Sequence, residues 1–342
     1  MSAASAPTLA AVAELAGVSI ATASRALSGT KPVSADAVLR IQDACRVLGY
    51  RHNAVASALR SKRSGTIGLL LPRYSTGFLS TLIEAVSAAL DRQGLSIVLR
   101  YMEPDAVTDN EHIESLLARQ VDGIIVCPPT EAASRASISA AGNVPVVQVG
   151  RYIDTDHTDS VGLDDARATA LLITHLAERD ARSLSVVGLN PDIASDAHRL
   201  TALGAAATRS GVIVAPPITA APTVAGGIAA AELLVAAAGP ELSQFSDAIV
   251  CVNDDVANGL LAVLRMEGVA VPGQVQVCSL LDVSFGEDDE RKITTLRHPW
   301  PAMGREAVRL LLDDLTPDPL RIARRVVLAP QLVQGASTRS AD

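Results

Sequence analysis

A series of short aliphatic runs, separated by stretches with helical periodicity, constrains the fold of this chain more than any other feature of its sequence. The runs cover residues 66–72, 95–101, 122–128, 144–150, 183–188, 211–215, 248–253 and 275–281. The helical stretches include residues 79–93, 110–119, 165–179, 196–210, 224–237 and 255–267. Apolar runs of this length that alternate with helices are typical of buried strands in parallel sheets. Because the runs fall into two series, we predict an α/β body with two doubly wound parallel-sheet subdomains.

The composition fits two such sheets with an aliphatic core. The chain has 342 residues, of which 49% are hydrophobic but only 2% aromatic. A chain of this length is expected to form more than one domain. Doubly wound sheets bind ligands at the carboxyl ends of their strands, and two facing sheets form a cleft that can close on a small molecule.

The first fifty residues follow a different pattern, that of three short helices. Thr8 can cap a first helix that ends at Gly17, with apolar positions at Leu9, Val12, Ala13, Leu15 and Ala16. Ser19 can cap a second helix over residues 20–27, and Ser34 can cap a third that ends at Gly49. Two short helices joined by a tight glycine turn predict a helix-turn-helix, so we expect an all-α head.

The head and the body differ in charge. Residues 1–65 contain eight Lys or Arg and three acidic residues, so their net charge is +5. Because the net charge of the whole chain is −8, the remainder carries a net charge of −13. A basic head can bind phosphates, although a solvated charged surface has the same composition. In a helix-turn-helix the start of the second helix enters the major groove, which would turn Ile20, Ala21 and Arg25 towards DNA. Arg25 can contact guanine or hold a phosphate, and the sequence leaves that choice open.

These residues also follow the pattern of a known family. Residues 8–72 resemble the head and hinge of the lactose-repressor (LacI) family of transcriptional regulators. The matching residues, in family order and spacing, are Val12-Ala13, Ala16-Gly17-Val18-Ser19, Thr22, Ser24-Arg25, Leu27, Gly29, Val33-Ser34, Leu48-Gly49-Tyr50 and Asn53. Ala11 and Ala23 depart from the acid and the valine that are usual in the family.

The resemblance implies a set of DNA-contacting residues and a hinge helix. The set consists of Thr8, Ser19, Ile20, Ala21, Thr22, Ser24, Arg25, Asn53, Ala56, Leu59 and Arg60. The hinge helix would cover residues 53–61, which are too few for a stable isolated helix, and would fold when two copies meet on DNA. Leu59 would insert into the minor groove and kink the duplex; the alternative is an ordinary linker residue. Arg60, Lys62 and Arg63 would neutralise phosphates.

The resemblance continues from Thr66 to about Thr338 through the effector domain of the family, which is similar to periplasmic sugar-binding proteins. Its landmarks include Val121-Asp122-Gly123, Asn253-Asp254, Thr294-Thr295 and Met303-Gly304. The implied domains are a helix-turn-helix over 1–52, a hinge and linker over 53–63, and an effector-binding and dimerisation body over 64–342. Within the body, one subdomain would comprise 66–162 plus 293–322, and the other 163–292 plus 323–342.

Five residues match effector-contacting positions of the family, namely Phe78, Arg199, Asn253, Trp300 and Asp282. Each could instead serve in packing, and Asp282 could instead cap a helix. Where many relatives carry acids, this chain has Gly150 and Leu281, and Cys127 stands at a position that is often polar. With fewer carboxylates to compensate Arg199, we expect an effector that is anionic or poor in hydroxyl groups.

Two other classes of protein compete with a regulator. An enzyme is disfavoured because the chain lacks the glycine-rich phosphate and dinucleotide motifs and a nucleophile elbow. Its six histidines lack metal spacing, and its four cysteines are far apart, so we expect no metal and no cofactor. A small-molecule binding protein of the transport type, without a direct transcriptional role, would account for the body alone. The head argues against it, as does an N-terminus unlike a signal peptide.

The sequence therefore predicts a cytoplasmic, ligand-responsive transcriptional regulator, most simply a repressor, with no membrane association. It would bind a pseudo-palindromic operator in double-stranded DNA as a homodimer, although a tetramer formed through the body stays open. A sugar, a sugar phosphate or a related metabolite would bind in the cleft as the effector, either as inducer or as corepressor.

Overall fold

The protein divides into two compact units, Met1–Ser64 and Gly65–Asp342. The computed structural model describes residues 7–28, 33–50, 63–73, 77–102, 106–128, 130–150, 153, 155–238, 246–282, 293–316 and 322–340.

Three helices form the described part of the first unit: α1 (Leu9–Leu15), α2 (Ile20–Ser28) and α3 (Ala35–Leu48). The predicted caps are present, since the hydroxyls of Thr8, Ser19 and Ser34 accept hydrogen bonds from the amides of Ala11, Thr22 and Ala37. The core consists of Val12, Ala13, Ala16, Ala23, Ile41 and Ala44. Leu15, the last residue of α1, is an apolar position outside this core and is 53% exposed.

Two six-stranded sheets form the second unit, as the alternating pattern predicts. The first half of the body contains β1 (Thr66–Pro72), α4 (Gly77–Asp91), β2 (Ser96–Met102), α5 (Ala106–Ala118), β3 (Gly123–Val126), α6 (Glu131–Ala141), β4 (Val146–Gly150) and β5 (Asp159–Leu163). There follow α7 (Asp165–Ala177), β6 (Ser183–Val187), α8 (Ala194–Ser210), β7 (Ile213–Val214), α9 (Val224–Ala238), β8 (Ala248–Cys251), α10 (Asp254–Met266) and β9 (Gln276–Ser279). The last elements are β10 (Thr294–Arg297), α11 (Trp300–Asp314), β11 (Arg325–Leu328) and β12 (Gln331–Val333).

The strand order defines two lobes. Lobe one is the sheet β11-β5-β4-β3-β1-β2 with its flanking helices, and all its described strand pairs are parallel. Lobe two is the sheet β12-β10-β9-β8-β6-β7 with its helices, in which only β12 is antiparallel to its neighbour. Each sheet has an aliphatic core of buried Leu, Ile, Val and Ala, and lobe one has a second one on its other face.

The chain crosses between the lobes at places that differ from the predicted subdomain bounds. Strand β10, which was assigned to lobe one, pairs with β9 in lobe two. Strand β11, which was assigned to lobe two, pairs with β5 at the edge of lobe one. These two assignments were wrong because strand membership depends on nonlocal hydrogen bonds. The second crossing therefore lies at His298–Pro299, just before α11, and the third lies between β11 and β12.

Hydropathy marks no described helix as long and apolar enough to cross a membrane by itself. The adjacent helices α1 and α2 match a span only together, and they meet at 104°.

Candidate functional site

The exposed surface at the start of α2 is the candidate DNA-reading face of the head. Ile20 is 53% exposed, and Ala21 and Arg25 are also exposed. The Ser19 hydroxyl accepts from the Thr22 amide at 3.1 Å and lies 2.8 Å from the Thr22 hydroxyl. This local pairing fixes the first turn of α2, so the face can meet a groove without first becoming ordered.

Of the remaining predicted DNA contacts, Thr8 and Ser24 lie in the described part of the head, and the others lie outside the described residues. Thr8 is exposed at the start of α1, and Ser24 is half-buried. Asn53, Ala56, Leu59 and Arg60 all lie outside the described residues, so the wedge and the hinge helix stay predictions.

Part of the positive charge of the head has a structural role. Arg40 donates to the carbonyl of Ala16 at 3.0 Å and lies 3.3 Å from Asp36, so it ties α3 to the end of α1. Arg46 pairs with Asp43 at 2.9 Å. Exposed pairs of this kind add little stability, and they leave the head with a net positive charge.

Arg199 forms the centre of a buried charged cluster in lobe two. Its guanidinium Nε lies 3.0 Å from Asp165 Oδ1, and Nη1 lies 3.9 Å from Asp196 Oδ1. The side chains of Arg199, Asp165 and Asp196 are only 9%, 21% and 6% exposed. The expectation of a poorly compensated arginine was therefore wrong. Two carboxylates from α7 and α8, which were not among the predicted contacts, balance its charge.

Asp282 and His298 extend this cluster towards the crossing between the lobes. Asp282 is buried and lies 3.7 Å from Arg297 Nε. His298 is 4% exposed, and its Nε2 lies 2.8 Å from the carbonyl of Leu280. Burial and, to a smaller extent, the charge of Arg199 lower the pKa of His298 to about 4, although the hydrogen bond to Leu280 and the charges of Asp165 and Asp282 act in the opposite direction. The imidazole is consequently neutral at neutral pH.

Sequence reasoning missed His298 because it counted the histidines only for metal spacing. The signal that could have found it is its place beside Trp300, directly after the Thr294-Thr295 pair. Among the described residues, no group of three or more His, Cys, Asp or Glu could hold a metal ion.

Of the other predicted effector residues, Asn253 and Trp300 mainly contact residues of their own lobe. Asn253 caps α10, because its Oδ1 accepts from the Val256 amide at 2.9 Å while its Nδ2 donates to the Pro222 carbonyl at 3.1 Å. Trp300 is 7% exposed and packs in the core of lobe one, with its ring 5.6 Å from that of His298. Only the backbone of Phe78, in the first turn of α4, is described.

Apolar and small residues lie at the carboxyl ends of the central strands of lobe one. Cys127 follows β3 and is buried, and Gly150 ends β4 with a φ of +80°. A Cβ at Gly150 would lie 3.5 Å from Cys127 Sγ. Leu281 reaches this side from lobe two, since it packs against the apolar cluster that contains Cys127 and Trp300. Lobe two therefore contacts the apolar core of lobe one through Leu281, the residue before Asp282 of the charged cluster.

A separate depression of about 580 Å³ lies at the other end of the strands of lobe two. It is lined by Leu261, Arg265, Gly268, Val269, Ala270, Val271, Ala336 and Ser337. Because it faces the start of β9, whereas Leu281 and Asp282 follow the end of that strand, it is separate from the charged cluster.

Comparison with known proteins agrees with this arrangement. Residues 8–53 match the family of bacterial regulatory proteins called the lacI family, and residues 173–338 match the periplasmic binding protein-like domain. The chain is 31% identical to the HTH-type transcriptional regulator MalR of Streptomyces coelicolor, over 97% of both chains. The chain belongs to the LacI family.

Solved structures show that this LacI-family regulator has the fold of its relatives over nearly its whole length. It is similar to a transcriptional regulator CelR in complex with cellobiose, with 26% identity, a TM-score of 0.70, and coverage of 97% of this chain and 99% of that one. It also has the fold of a Lac repressor dimer bound to operator and the anti-inducer ONPF, with 23% identity, a TM-score of 0.80, and coverage of 98% and 99%.

Family membership confirms the prediction of a DNA-binding transcriptional regulator. The alternative, a transport-type binding protein without a transcriptional role, does not explain a match that includes the complete head. The relatives MalR and reg1 are both HTH-type transcriptional regulators.

Proposed function

We propose that this LacI-family regulator is a repressor that binds a pseudo-palindromic operator as a homodimer, and that a small molecule either lowers or raises its affinity for the operator. The observation that carries the proposal is the pairing of two features in one chain: a helix-turn-helix with an exposed face on α2, and a two-lobed body with buried polar groups where its lobes meet.

Two heads are needed because one presents too small a surface. A single helix-turn-helix contacts a few base edges, whereas a dimer reads two half-sites and doubles the number of phosphate contacts. In this proposal α2 enters the major groove and Arg25 contacts a base or a phosphate. Leu59 enters the minor groove at the centre of the operator, and Arg60 neutralises a phosphate beside it. The Lac repressor dimer bound to operator, which shares the fold, supports this assembly.

The effector would bind where the chain crosses between the lobes. The side chains that lie there are those of Arg199, Asp165, Asp282, His298 and Trp300. Since Asp165 and Asp196 balance the charge of Arg199, an anionic effector such as a sugar phosphate is not required, and a neutral polar molecule fits the cluster better. The complex of the similar regulator CelR with cellobiose supports a carbohydrate.

The effector would act by changing the relative position of the two lobes. The hinge segments precede lobe one, so a shift of that lobe in each protomer would join or separate the two hinges. The change in operator affinity cannot exceed the preference of the effector for one arrangement over the other. The proposed function includes no turnover of the bound molecule and places the protein in the cytoplasm, where its operator is.

The test is a binding assay with the full chain and DNA from upstream of its own gene. Fluorescence anisotropy would be measured with that DNA and with a scrambled duplex, with and without carbohydrates, at several salt concentrations. We expect at least a thousandfold preference for the operator, about the lower limit for specific binders. A similar affinity for both duplexes would contradict the proposal, and chemical change of a bound carbohydrate would contradict the absence of catalysis.

The wedge is tested by Leu59→Ala, with Leu39→Ala as the matched control. Leu39 is an exposed leucine on α3, in the same unit. Loss of an intercalating side chain should weaken operator binding by about tenfold or more while scrambled DNA is bound as before. Leu39→Ala should change neither affinity. Equal losses on operator and scrambled DNA for Leu59→Ala would rule out the wedge.

A further inference from the structure

His298 has a buried hydrogen-bond acceptor that nothing in the described part of the protein satisfies. Its Nε2 must donate to the Leu280 carbonyl at 2.8 Å, because a carbonyl oxygen can only accept. The ring is neutral, so Nδ1 carries a lone pair and no hydrogen. Nδ1 is buried and has no hydrogen-bond partner. A buried polar atom without a partner destabilises a fold, and such atoms are rare.

The groups whose charges act on His298 form no hydrogen bond with this acceptor. Asp165 and Asp282 are carboxylates, which only accept, and Arg199 directs its Nε to Asp165. The ring of Trp300 is tilted by 52° to the imidazole at a centroid distance of 5.6 Å. None of these described groups therefore supplies the donor, and a bound ligand can supply it. A neutral hydroxyl is the best candidate, because the cluster already contains both signs of charge.

Leu281 directly follows Leu280, whose carbonyl His298 contacts, and it presents an apolar side chain. Leu281 is half-buried and packs against the apolar cluster of lobe one that contains Cys127 and Trp300. Gly150 adds no side chain beside Cys127, although a Cβ there would meet only Sγ, at 3.5 Å. Gln148, on the same strand, bonds Ser134 and both backbone groups of Ile153, so its amide is already used. A hydroxyl placed against Leu281 would lose its hydrogen bonds to water and gain none.

We propose that the effector is a neutral, partly deoxygenated carbohydrate, which donates a hydroxyl to His298 Nδ1 and turns a face of carbon and hydrogen atoms to Leu281. The proposal rests on the cleft being the effector site, as argued under the proposed function, and it adds the class of ligand and two residues that select it. A 6-deoxyhexose has the required character, because a methyl group replaces one hydroxymethyl while the ring hydroxyls remain.

The test compares matched sugars that differ by one oxygen atom. Titration calorimetry with the full chain would use D-galactose and D-fucose, D-glucose and 6-deoxy-D-glucose, and L-mannose and L-rhamnose. We expect at least one deoxy sugar to bind about tenfold or more tighter than its hydroxylated partner. Leu281→Asp, which adds an acceptor for the sixth hydroxyl, should reduce or reverse that ratio, and Leu281→Met should keep it.

The contribution of His298 is tested with two amides of different reach. Asn at this position places its amide near the site of Nδ1, so His298→Asn can still accept from the ligand. Gln reaches the site of Nε2, so His298→Gln can still donate to Leu280 but offers no acceptor in place of Nδ1. We expect His298→Gln to weaken sugar binding about tenfold more than His298→Asn does. Melting without ligand would verify that both variants are folded, and equal affinities would overturn the role of Nδ1.

The outcomes separate this inference from the proposed function. If the tightest ligand is a fully hydroxylated hexose that also alters operator affinity, the deoxygenated class is wrong and the effector cleft stands. If no sugar of the panel binds the wild type and none alters operator affinity, both the class and the carbohydrate-responsive cleft are wrong.

Discussion

The charged cluster around Arg199 permits a quantitative prediction, because it is buried and complete within lobe two. Replacing Arg199 with Met keeps much of the aliphatic volume but removes the cation from Asp165 and Asp196. Loss of one partner from a buried ion pair costs about 3–5 kcal/mol. Asp165 is 21% exposed, so water can partly solvate its charge, and we expect the lower end of this range, about 3 kcal/mol.

Thermal unfolding of the body measures this effect. For a domain of roughly this size, 1 kcal/mol shifts the melting temperature by about 2–4 °C, so Arg199→Met should melt at least about 6 °C below the wild type. Asp165→Asn in the same chain removes one of the two unpaired charges. The double variant should therefore recover about 1–2 kcal/mol relative to Arg199→Met, which is the coupling energy expected for residues in contact.

An exposed arginine in the same unit provides the control. Arg309 pairs with Glu306 at 2.6 Å and with Asp313 at 3.0 Å, but its side chain is 53% exposed. Arg309→Met should cost no more than about 1 kcal/mol, as for other surface pairs. If Arg199→Met destabilises the body no more than Arg309→Met does, the cluster is not electrostatically coupled as described. Because an Arg199 variant is expected to be less stable, a loss of its effector response indicates a lost contact with the effector only if the variant is also shown to be folded.

Three further predictions concern packing, pH and the head. Gly227→Ala would place a Cβ 2.1 Å from the backbone oxygen of Val256 and should lower the free energy of unfolding by about 1–3 kcal/mol or more. The control Gly204→Ala, with nothing within 4 Å of the new Cβ, should be neutral or stabilising. Equal melting temperatures of the two variants would contradict the close contact of α9 with α10. Burial lowers the pKa of both His175 and His298 from 6.5 to about 4, so the unfolded chain binds more protons and stability falls as the pH drops from 6.5 to 4. Each histidine should cost about 2 kcal/mol at pH 5, and a melting temperature that stays constant between pH 7 and pH 5 in the wild type would oppose this. Ser19→Ala removes the cap of α2 and should destabilise the head by about 1 kcal/mol, which faster amide hydrogen exchange in α2 would reveal and unchanged exchange would refute.

Local signals in the sequence predicted the elements whose cause is local. The cap of α1 at Thr8 and the strand β1 over residues 66–72 were both placed correctly, because a hydroxyl before a helix and an unbroken aliphatic run are contained in a few adjacent residues. The helix α6 over residues 131–141 was implied only by the alternation of runs and helices, and no bounds were predicted for it. Its sequence is rich in Ala and Ser, so its hydrophobic periodicity is weak, and packing against neighbouring elements stabilises it.

The candidate site was only partly readable from sequence for a related reason. Arg199 was predicted as a pocket residue, and that role stays a prediction, whereas its balance of charge was inferred from Gly150 and Leu281 alone. The compensating carboxylates come from Asp165, 34 positions away, and from Asp196 in the same helix. The importance of His298 depends on the Leu280 carbonyl, which lies 18 positions earlier and fixes the tautomer.

The sequence by itself therefore determined the family, the division into a basic helical head and an acidic α/β body, and most element positions. These follow from composition, period and motif spacing, which are properties of contiguous residues. Only the tertiary structure decided which sheet β10 and β11 join, how the charge of Arg199 is balanced, and where an acceptor is left without a donor. Each of these depends on hydrogen bonds and ion pairs between distant residues, whose partners become known only when the chain is folded.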